Sequence, residues 1–345
     1  MPTAPATLPP EAAAAQLGFH IAWGYVGSSA LHAALELGLP DRLAAGPKPV
    51  SELARDTNTN EDALYRVLRV LASLGLFEEQ SPRTFAANLP AQLLRAQPGS
   101  ARDIIYFLTD PNHFRIHAEL LHTLRTGQPS VEKVMGKPVF EVFASDPAFS
   151  KVFNDAMTSM SALAIPAALD VFDFSDIRVL VDVAGGHGRV LTSILQRNPA
   201  MRGVLFDLEH VVAGAGPLIA ESGVADRCTT MSGDFFKAVP PGGDAYIMKH
   251  IIHDWDDERC RTILRNIHHA LAGVPNGRVI LLESVVQTGN APDFAKLIDM
   301  EMLLIPGGRE RTADEFRTLF ASAGFELTRI VPTASALSVI EAAAR

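Results

Sequence analysis

The sequence predicts a two-part α/β chain: a mainly helical, winged-helix-like N-terminal part, then a mostly parallel seven-stranded sheet ending in an antiparallel hairpin. Three observations predict it. Apolar residues recur at helical spacing through the first half, as in Ile21, Val26, Leu31, Leu35 and Leu37. After Pro166, short β-rich runs of Val, Ile and Leu alternate with helical stretches, which is the grammar of βαβ units and a parallel sheet. At the end, two β-rich runs stand too close together for a crossover helix and must pair antiparallel.

Taken in order, residues 1–15 are rich in Ala and Pro, lack the basic flank and apolar stretch of a signal peptide, and read as a loose tail. Residues 16–169 form the helical part. Within it Val50-Ser51-Glu52-Leu53-Ala54 opens a short helix, Asn58 to Asn60 makes a turn, and Glu61 to Leu74 is a second helix that stops at Gly75. The stretches Leu76-Phe77-Glu78 and Arg83-Thr84-Phe85 then suit a small hairpin, completing a winged-helix shape. Such a shape suggests DNA binding, or a regulator that senses a metabolite through its C-terminal half. The second helix argues against it. It offers only Arg66 and Arg69 among Leu64, Val67, Leu68, Val70 and Leu71, too little polar chemistry to read a major groove. Its apolar stripe suits packing against neighbouring helices or a second subunit. Residues 170–345 carry the sheet, with strands expected at Arg178 to Val183, Gly203 to Asp207, Cys228 to Ser232, Ala245 to Met248, Arg278 to Leu282, Phe325 to Ile330 and Ala336 to Ala342.

Composition narrows the function. With 345 residues, 48% hydrophobic and 20% charged, the chain is long enough for two domains and has no apolar run of membrane-spanning length. A net charge of −9 disfavours nucleic acid and anionic membranes as partners. Two cysteines, Cys228 and Cys260, give neither a disulfide framework nor metal-ligand spacing, as expected of a reducing cytoplasm.

The sharpest motif is Val179-Leu180-Val181-Asp182-Val183-Ala184-Gly185-Gly186-His187-Gly188-Arg189, an apolar strand running into a Gly-rich turn. A dinucleotide site wants its last glycine three residues after the second, but Gly186 and Gly188 are two apart and Leu191 fills the next slot. Asp182 would repel a pyrophosphate yet can accept hydrogen bonds from a cationic amino group. S-adenosylmethionine carries that group and no phosphate. Asp207 closes the second strand, before Leu208, where a carboxylate can hold two ribose hydroxyls. Asp234 follows the third strand, offering an acceptor for an adenine amino group beside the aromatic edge of Phe235. In an open parallel sheet the carboxyl ends of the strands border one crevice, so Asp182, Asp207 and Asp234 converge.

The fourth strand leads into Lys249-His250-Ile251-Ile252-His253-Asp254-Trp255-Asp256-Asp257-Glu258 at the same edge. A phenol ionises near ~10 and is a poor nucleophile at neutral pH, whereas an imidazole near ~6.5 is free to take its proton. His253 is the candidate general base, with Glu283 or Asp254 placed to fix its tautomer. The acidic run from Asp254 to Glu258 precedes an amphipathic helix and reads as an acidic first turn, so no metal is expected. Methyl transfer annihilates charge, so a dry apolar pocket favours it. Phe149, Phe153, Met157 and Met160 recur on one helix, and Met302 precedes the Pro306-Gly307-Gly308 turn, as candidate walls.

Asp182 to Gly188, Phe206-Asp207-Leu208, Gly233-Asp234-Phe235-Phe236, Lys249 to Glu258 and Gly307-Gly308-Arg309-Glu310-Arg311-Thr312 together resemble the class I O-methyltransferases typified by plant caffeate and bacterial antibiotic-pathway enzymes. The resemblance covers nearly the whole chain, in order. It implies a Rossmann-like methyltransferase domain, an N-terminal domain that forms an intertwined homodimer and helps shape the substrate site, and a small aromatic hydroxyl compound as substrate. It also implies cofactor contacts from Gly185, Gly186, Asp207, Asp234, Phe235 and Lys249, with Ser161 at the methionyl end. His253 would be the base, flanked by Glu283 and Glu310, with His250 nearby on the substrate side. Ala184 departs from the family pattern, standing where its first glycine is usual, and a slightly altered turn is expected. Some enzymes on this scaffold keep the cofactor for non-methylating chemistry; His253 and Glu283 argue for true transfer.

Overall fold

The computed structural model describes residues 9–97 and 99–345, which divide into two compact units that part between Phe114 and Arg115. The first unit opens with a helix at Pro10–Glu36. Residues 10–15, expected in a loose tail, therefore belong to this helix, Pro10 being tolerated at a first turn that needs no N–H there; residues 1–8 of that tail lie outside the described residues. The helices Val50–Thr57 and Glu61–Ser73 follow. Asn58, left-handed at φ 51°, ends the first, and the Asn60 side chain caps the second by accepting from Ala63 N at 2.9 Å.

Leu64, Leu68 and Leu71 of the second helix are buried with Leu39, Val50, Leu53, Phe77 and Phe85, so its apolar stripe is internal packing within this unit. The wing is a three-stranded antiparallel sheet of β1 (Lys48–Pro49), β2 (Glu78–Ser81) and β3 (Thr84–Ala86), ordered β1-β3-β2. The hairpin starts two residues later than expected because Phe77 is left-handed at φ 70° and buried, unable to continue a strand.

The second unit holds one seven-stranded sheet: β4 (Val179–Val183), β5 (Arg202–Asp207), β6 (Cys228–Ser232), β7 (Ala245–Lys249), β8 (Arg278–Glu283), β9 (Phe325–Pro332) and β10 (Ser338–Ala344). Their order is β6-β5-β4-β7-β8-β10-β9, parallel through β8 and antiparallel at β10 and β9. Alternation along the strands feeds two cores. Leu180, Leu205, Ile247, Ile280 and Val339 pack with Ile165, Leu191 and Ile194 on one face. Val181, Phe206, Tyr246, Met248 and Leu281 pack with Ile263, Ile267, Phe316 and Phe320 on the other.

The unit boundary differs from the one expected near residue 170. The division falls inside the helix Pro111–Ala118, and the helices after it pack with the sheet unit. Ala164, Ile165 and Ala168 of the long helix Pro147–Val171 join the sheet core, while Ile116, Val131 and Val139 share a cluster with Leu304. Helical periodicity ends near residue 170; compactness changes where the buried stripes change partners. Among the described residues no helix is long and apolar enough to cross a membrane.

Candidate active site

β4 delivers Asp182 to the carboxyl edge of the sheet, and the turn after it folds back against β5: Ala184 N donates to Phe206 O at 2.8 Å. A side chain at Gly185 would place its Cβ 2.5 Å from both Asp182 Cγ and Leu205 Cδ1, so only glycine lets the backbone lie this close to the carboxylate. Ala184 occupies φ 56°, a conformation glycine adopts without strain. The cost of the replaced glycine is thus carried by residue 184 itself.

Gly186 N donates to Asp207 Oδ2 at 2.8 Å and Leu208 N to Asp207 Oδ1 at 2.7 Å, so the turn and the β5 carboxylate are locked together. Asp234, just past β6, accepts from Phe236 N at 2.9 Å and lies beside Asp207, since β5 sits between β4 and β6. Asp182 is 1% exposed and neither of its oxygens has a hydrogen-bond partner. Burial, reinforced by the Asp207 charge, pushes its carboxyl up to about 7, against the opposing Leu191 backbone and Lys249. Burial likewise raises Asp207 and lowers Lys249, which faces the charges of Glu283, Asp182 and Asp254. An unpartnered buried carboxylate beside a glycine cradle fits a ligand that brings a cationic amino group and close-packed bulk.

The loop after β7 turns sharply at His250, which is left-handed at φ 55°, and places His253 in a single 3₁₀ turn, Ile252–Asp254. His253 Nδ1 is 2.7 Å from Glu310 Oε1 and 3.6 Å from Glu283 Oε2, and its Nε2 is 3.6 Å from Asp254 Oδ1. Neither residue first considered for orienting the ring makes the short contact: Glu310 does. Glu283 instead anchors the loop, its Oε1 accepting from both Ile251 N and Ile252 N at 3.0 Å. Burial opposes a charge on His253, but Glu283, Asp254 and Glu310 overcome it and hold the imidazole up at about 9. Burial also raises Glu283 to about 7 and Asp254 to about 6. Ligand-type atoms of His253, Glu283 and Glu310 lie within 4.8 Å of one another, a spacing a cation can span. Direct contacts serve His253 Nδ1, Glu310 Oε1 and Glu283 Oε1, while the Oε2 atoms of both glutamates are buried without a hydrogen-bond partner. Asp256 caps the next helix, Asp257–Ala270, through Arg259 N at 2.8 Å, with Asp257 and Glu258 in its acidic first turn.

The remaining candidates are less tightly gathered. His250 is buried, its Nε2 lacks a partner, and its ring centroid is 4.7 Å from that of His253; burial keeps it well below the ordinary histidine range, hence neutral. Phe153 stacks on Phe143 at 4.3 Å, and Phe140 stacks on Trp255, which meets the edge of Phe235 at 6.3 Å. Met157, Met160 and Met302 are half-buried. Ser161 is buried in its helix and donates its hydroxyl to Met157 O at 2.8 Å, which leaves only its lone pairs for a ligand.

Sequence reasoning missed three contributors: Arg311, Gly308 and Asp299. Asp299 accepts from Glu310 N at 2.8 Å, and a Cβ on Gly308 would stand 1.9 Å from His253 O. The one available signal was an arginine set directly beside Glu310, after a Gly-Gly turn.

Comparison with known proteins matches residues 117–326 to the O-methyltransferase domain family and residues 19–96 to the O-methyltransferase dimerisation domain family. The chain is 41% identical to the phenazine O-methyltransferase PhzM of Lysobacter antibioticus, over 92% of this chain and 93% of that one. The structure of CalO1, a methyltransferase of calicheamicin biosynthesis solved with S-adenosylhomocysteine, aligns with a TM-score of 0.87 at 33% identity, covering 98% of this chain and 100% of the other. The aclacinomycin 10-hydroxylase RdmB of Streptomyces purpurascens is 35% identical over 86% of this chain and 81% of that one.

Proposed function

Because the chain belongs to the S-adenosylmethionine-dependent O-methyltransferase family, we propose that it methylates a hydroxyl of a small planar aromatic or polyketide-like metabolite, with His253 as general base. The observation that carries this reading is the buried His253–Glu310 contact of 2.7 Å at the same sheet edge as the unpartnered carboxylate of Asp182.

Asp182, Gly185, Gly186, Asp207, Leu208, Asp234, Phe235 and Lys249 would hold the cofactor, with Ser161 accepting from its methionyl end. When bound, S-adenosylmethionine supplies an electrophilic methyl group on a positively charged sulfur. The chain's own residues do the rest. Glu310 keeps the proton of His253 on Nδ1, leaving the Nε2 lone pair to accept the hydroxyl proton. The charges of Glu283, Asp254 and Glu310 raise the imidazole toward a phenol's ~10, which lessens the free-energy cost of moving that proton. Glu283, gripping two loop amides, fixes where Nε2 stands. Phe153, Met157, Met160, Met302 and His250 are assigned to the acceptor's surroundings. Apolar walls favour a transition state in which positive and negative charge cancel.

PhzM and CalO1 act in phenazine and calicheamicin chemistry by their names, which supports a fused or substituted aromatic acceptor. A homodimer through the N-terminal unit accords with its dimerisation-family match. No nucleic-acid or membrane partner is assigned, and two buried unpaired thiols suit a cytoplasmic setting. The likeness to RdmB keeps one competing reading, a scaffold turned to non-methylating chemistry. Mass spectrometry of purified protein with S-adenosylmethionine and a panel of phenols, run beside His253→Ala, decides. We expect a gain of one methyl mass that the variant largely loses; tight cofactor binding without any methylated product would favour the scaffold reading.

A further inference from the structure

The segment that supplies Glu310 holds the base loop along its whole length. Arg309 N donates to His253 O at 2.8 Å, and Gly308 packs so closely that no Cβ fits against His253 O. Arg311 is 1% exposed, the largest fully buried side chain among the described residues. Its guanidinium donates to Ile252 O at 3.0 Å, Trp255 O at 3.0 Å and Arg309 O at 3.3 Å, and pairs with Asp257 Oδ1 at 2.8 Å. Its backbone pairs with the exit of β8, where Val286 N donates to Arg311 O at 2.9 Å, two residues beyond Ser284 and three beyond Glu283.

A buried cation is expensive and persists only where its partners repay desolvation. Here one acidic partner, Asp257, is half exposed, and the remaining acceptors are backbone carbonyls. Two of those carbonyls bracket His253 in sequence. We propose that Arg311 is the positioning residue for the catalytic base: its fork fixes the loop on both sides of His253, and so holds the imidazole at hydrogen-bonding distance from the neighbouring Glu310. Lysine cannot do this, because a single ammonium on a flexible stem lacks the planar set of five donors that reaches several acceptors at once. The groups facing His253 are Glu283, Asp254, Glu310 and His250, with Lys249 behind Asp254; those facing Arg311 are Asp257, Cys260 and, from the helix Ala313–Ser322, Glu315.

The inference rests on His253 being the base, and its test separates the two ideas. Arg311→Lys is compared with Leu319→Ala, a core change in the helix Ala313–Ser322 that lowers stability while leaving every hydrogen bond to the loop in place. Titration of the His253 imidazole is followed by nuclear magnetic resonance, together with kcat and the cofactor KM. Arg311→Lys is expected to lower kcat about 100-fold with cofactor KM little changed, and to bring the His253 titration midpoint down toward the ordinary histidine range as Glu310 loses contact. Leu319→Ala should leave that midpoint in place. An unchanged midpoint in Arg311→Lys, or an equal shift in Leu319→Ala, overturns the proposal. If Arg311→Lys does not fold, Gly308→Ala displaces the same loop from the other side and must shift the midpoint in the same direction. If the wild type methylates no hydroxyl compound, the function fails while the midpoints still decide the role of Arg311.

Discussion

His253 illustrates how far a residue's chemistry is set by neighbours distant in sequence. Its type and its place after a parallel strand were legible, because an imidazole at the carboxyl edge of such a sheet suits proton abstraction. Its partner was named only through the family resemblance, as one of two flanking carboxylates. Glu310 lies 57 positions away, and no spacing rule selects it over Glu283 or Asp254. With His253 as the proposed base, its unprotonated imidazole is the working form, and because its neighbours hold it at about 9, kcat/KM should rise with pH up to that region. A bound positive charge lowers that value, so the acid limb of kcat should lie at lower pH than that of kcat/KM; coincident limbs would contradict the assignment. At Asp182, exchange for asparagine removes a charge that burial and the neighbouring Asp207 disfavour. Asp182→Asn should raise the melting temperature at pH 8, by roughly 2–4 °C for each kcal/mol relieved, while abolishing measurable cofactor binding by calorimetry. Ala184→Gly relieves a left-handed alanine, a strain of ~1–2 kcal/mol partly offset by glycine's extra freedom when unfolded. A gain of about 0.5–1 kcal/mol in denaturant melts is expected.

At the scale of elements, the sheet was the most legible feature, because strands that face two cores must alternate and strands buried on both faces must be apolar. All seven strands stand where the β-rich runs predicted, within a few residues at their ends. The connection from β6 to β7 has a turn at residues 235–237 instead of a crossover helix, which a run of Asp, Phe and Pro between the strands did not make plain. The unit boundary was illegible for a physical reason: the helices between residues 115 and 171 have the same amphipathic period whichever unit they pack on. Backbone-directed contacts were equally hidden, since Arg311 and Glu283 mostly serve main-chain groups that every residue carries. Removing one of these anchors should loosen the loop as a unit. Glu283→Ala leaves the Ile251 and Ile252 amides without their acceptor, at a cost of about 1–3 kcal/mol in folding stability. Faster hydrogen exchange at those two amides, with the rest of the sheet unaffected, is the expected signature.

The whole molecule carries two consequences. Along the first helix Leu17, Phe19, Ile21, Trp23 and Tyr25 are all 61–75% exposed, and their spacing puts them on opposite sides of it. Apolar surface exposed on both sides of one helix suits an embrace by a second copy of the chain. Light scattering should therefore give a dimer for the wild type and a monomer for the double change Ile21→Asp, Trp23→Asp; a monomeric wild type would contradict it. Stability should also fall as pH rises. Asp182, Asp254 and Glu283 hold protons in the folded chain up to about 7, 6 and 7, well above their unfolded values of 3.8, 3.8 and 4.5, so each loses stability as pH climbs through that interval. His253, raised from 6.5 to about 9, adds stability that is complete below 6.5 and gone above 9. His250, held well below 6.5, works in the opposite direction up to that pH, so cofactor-free protein should melt at progressively lower temperature from pH 7 to pH 9, where His253 loses its contribution. The central claim, a base-assisted methyl transfer to an aromatic hydroxyl, is tested most directly by the mass of the product formed from S-adenosylmethionine and a phenol panel by the wild type and by His253→Ala. The account predicts a product one methyl heavier, formed at least about 100-fold more slowly by the variant. Equal rates from both proteins would contradict it.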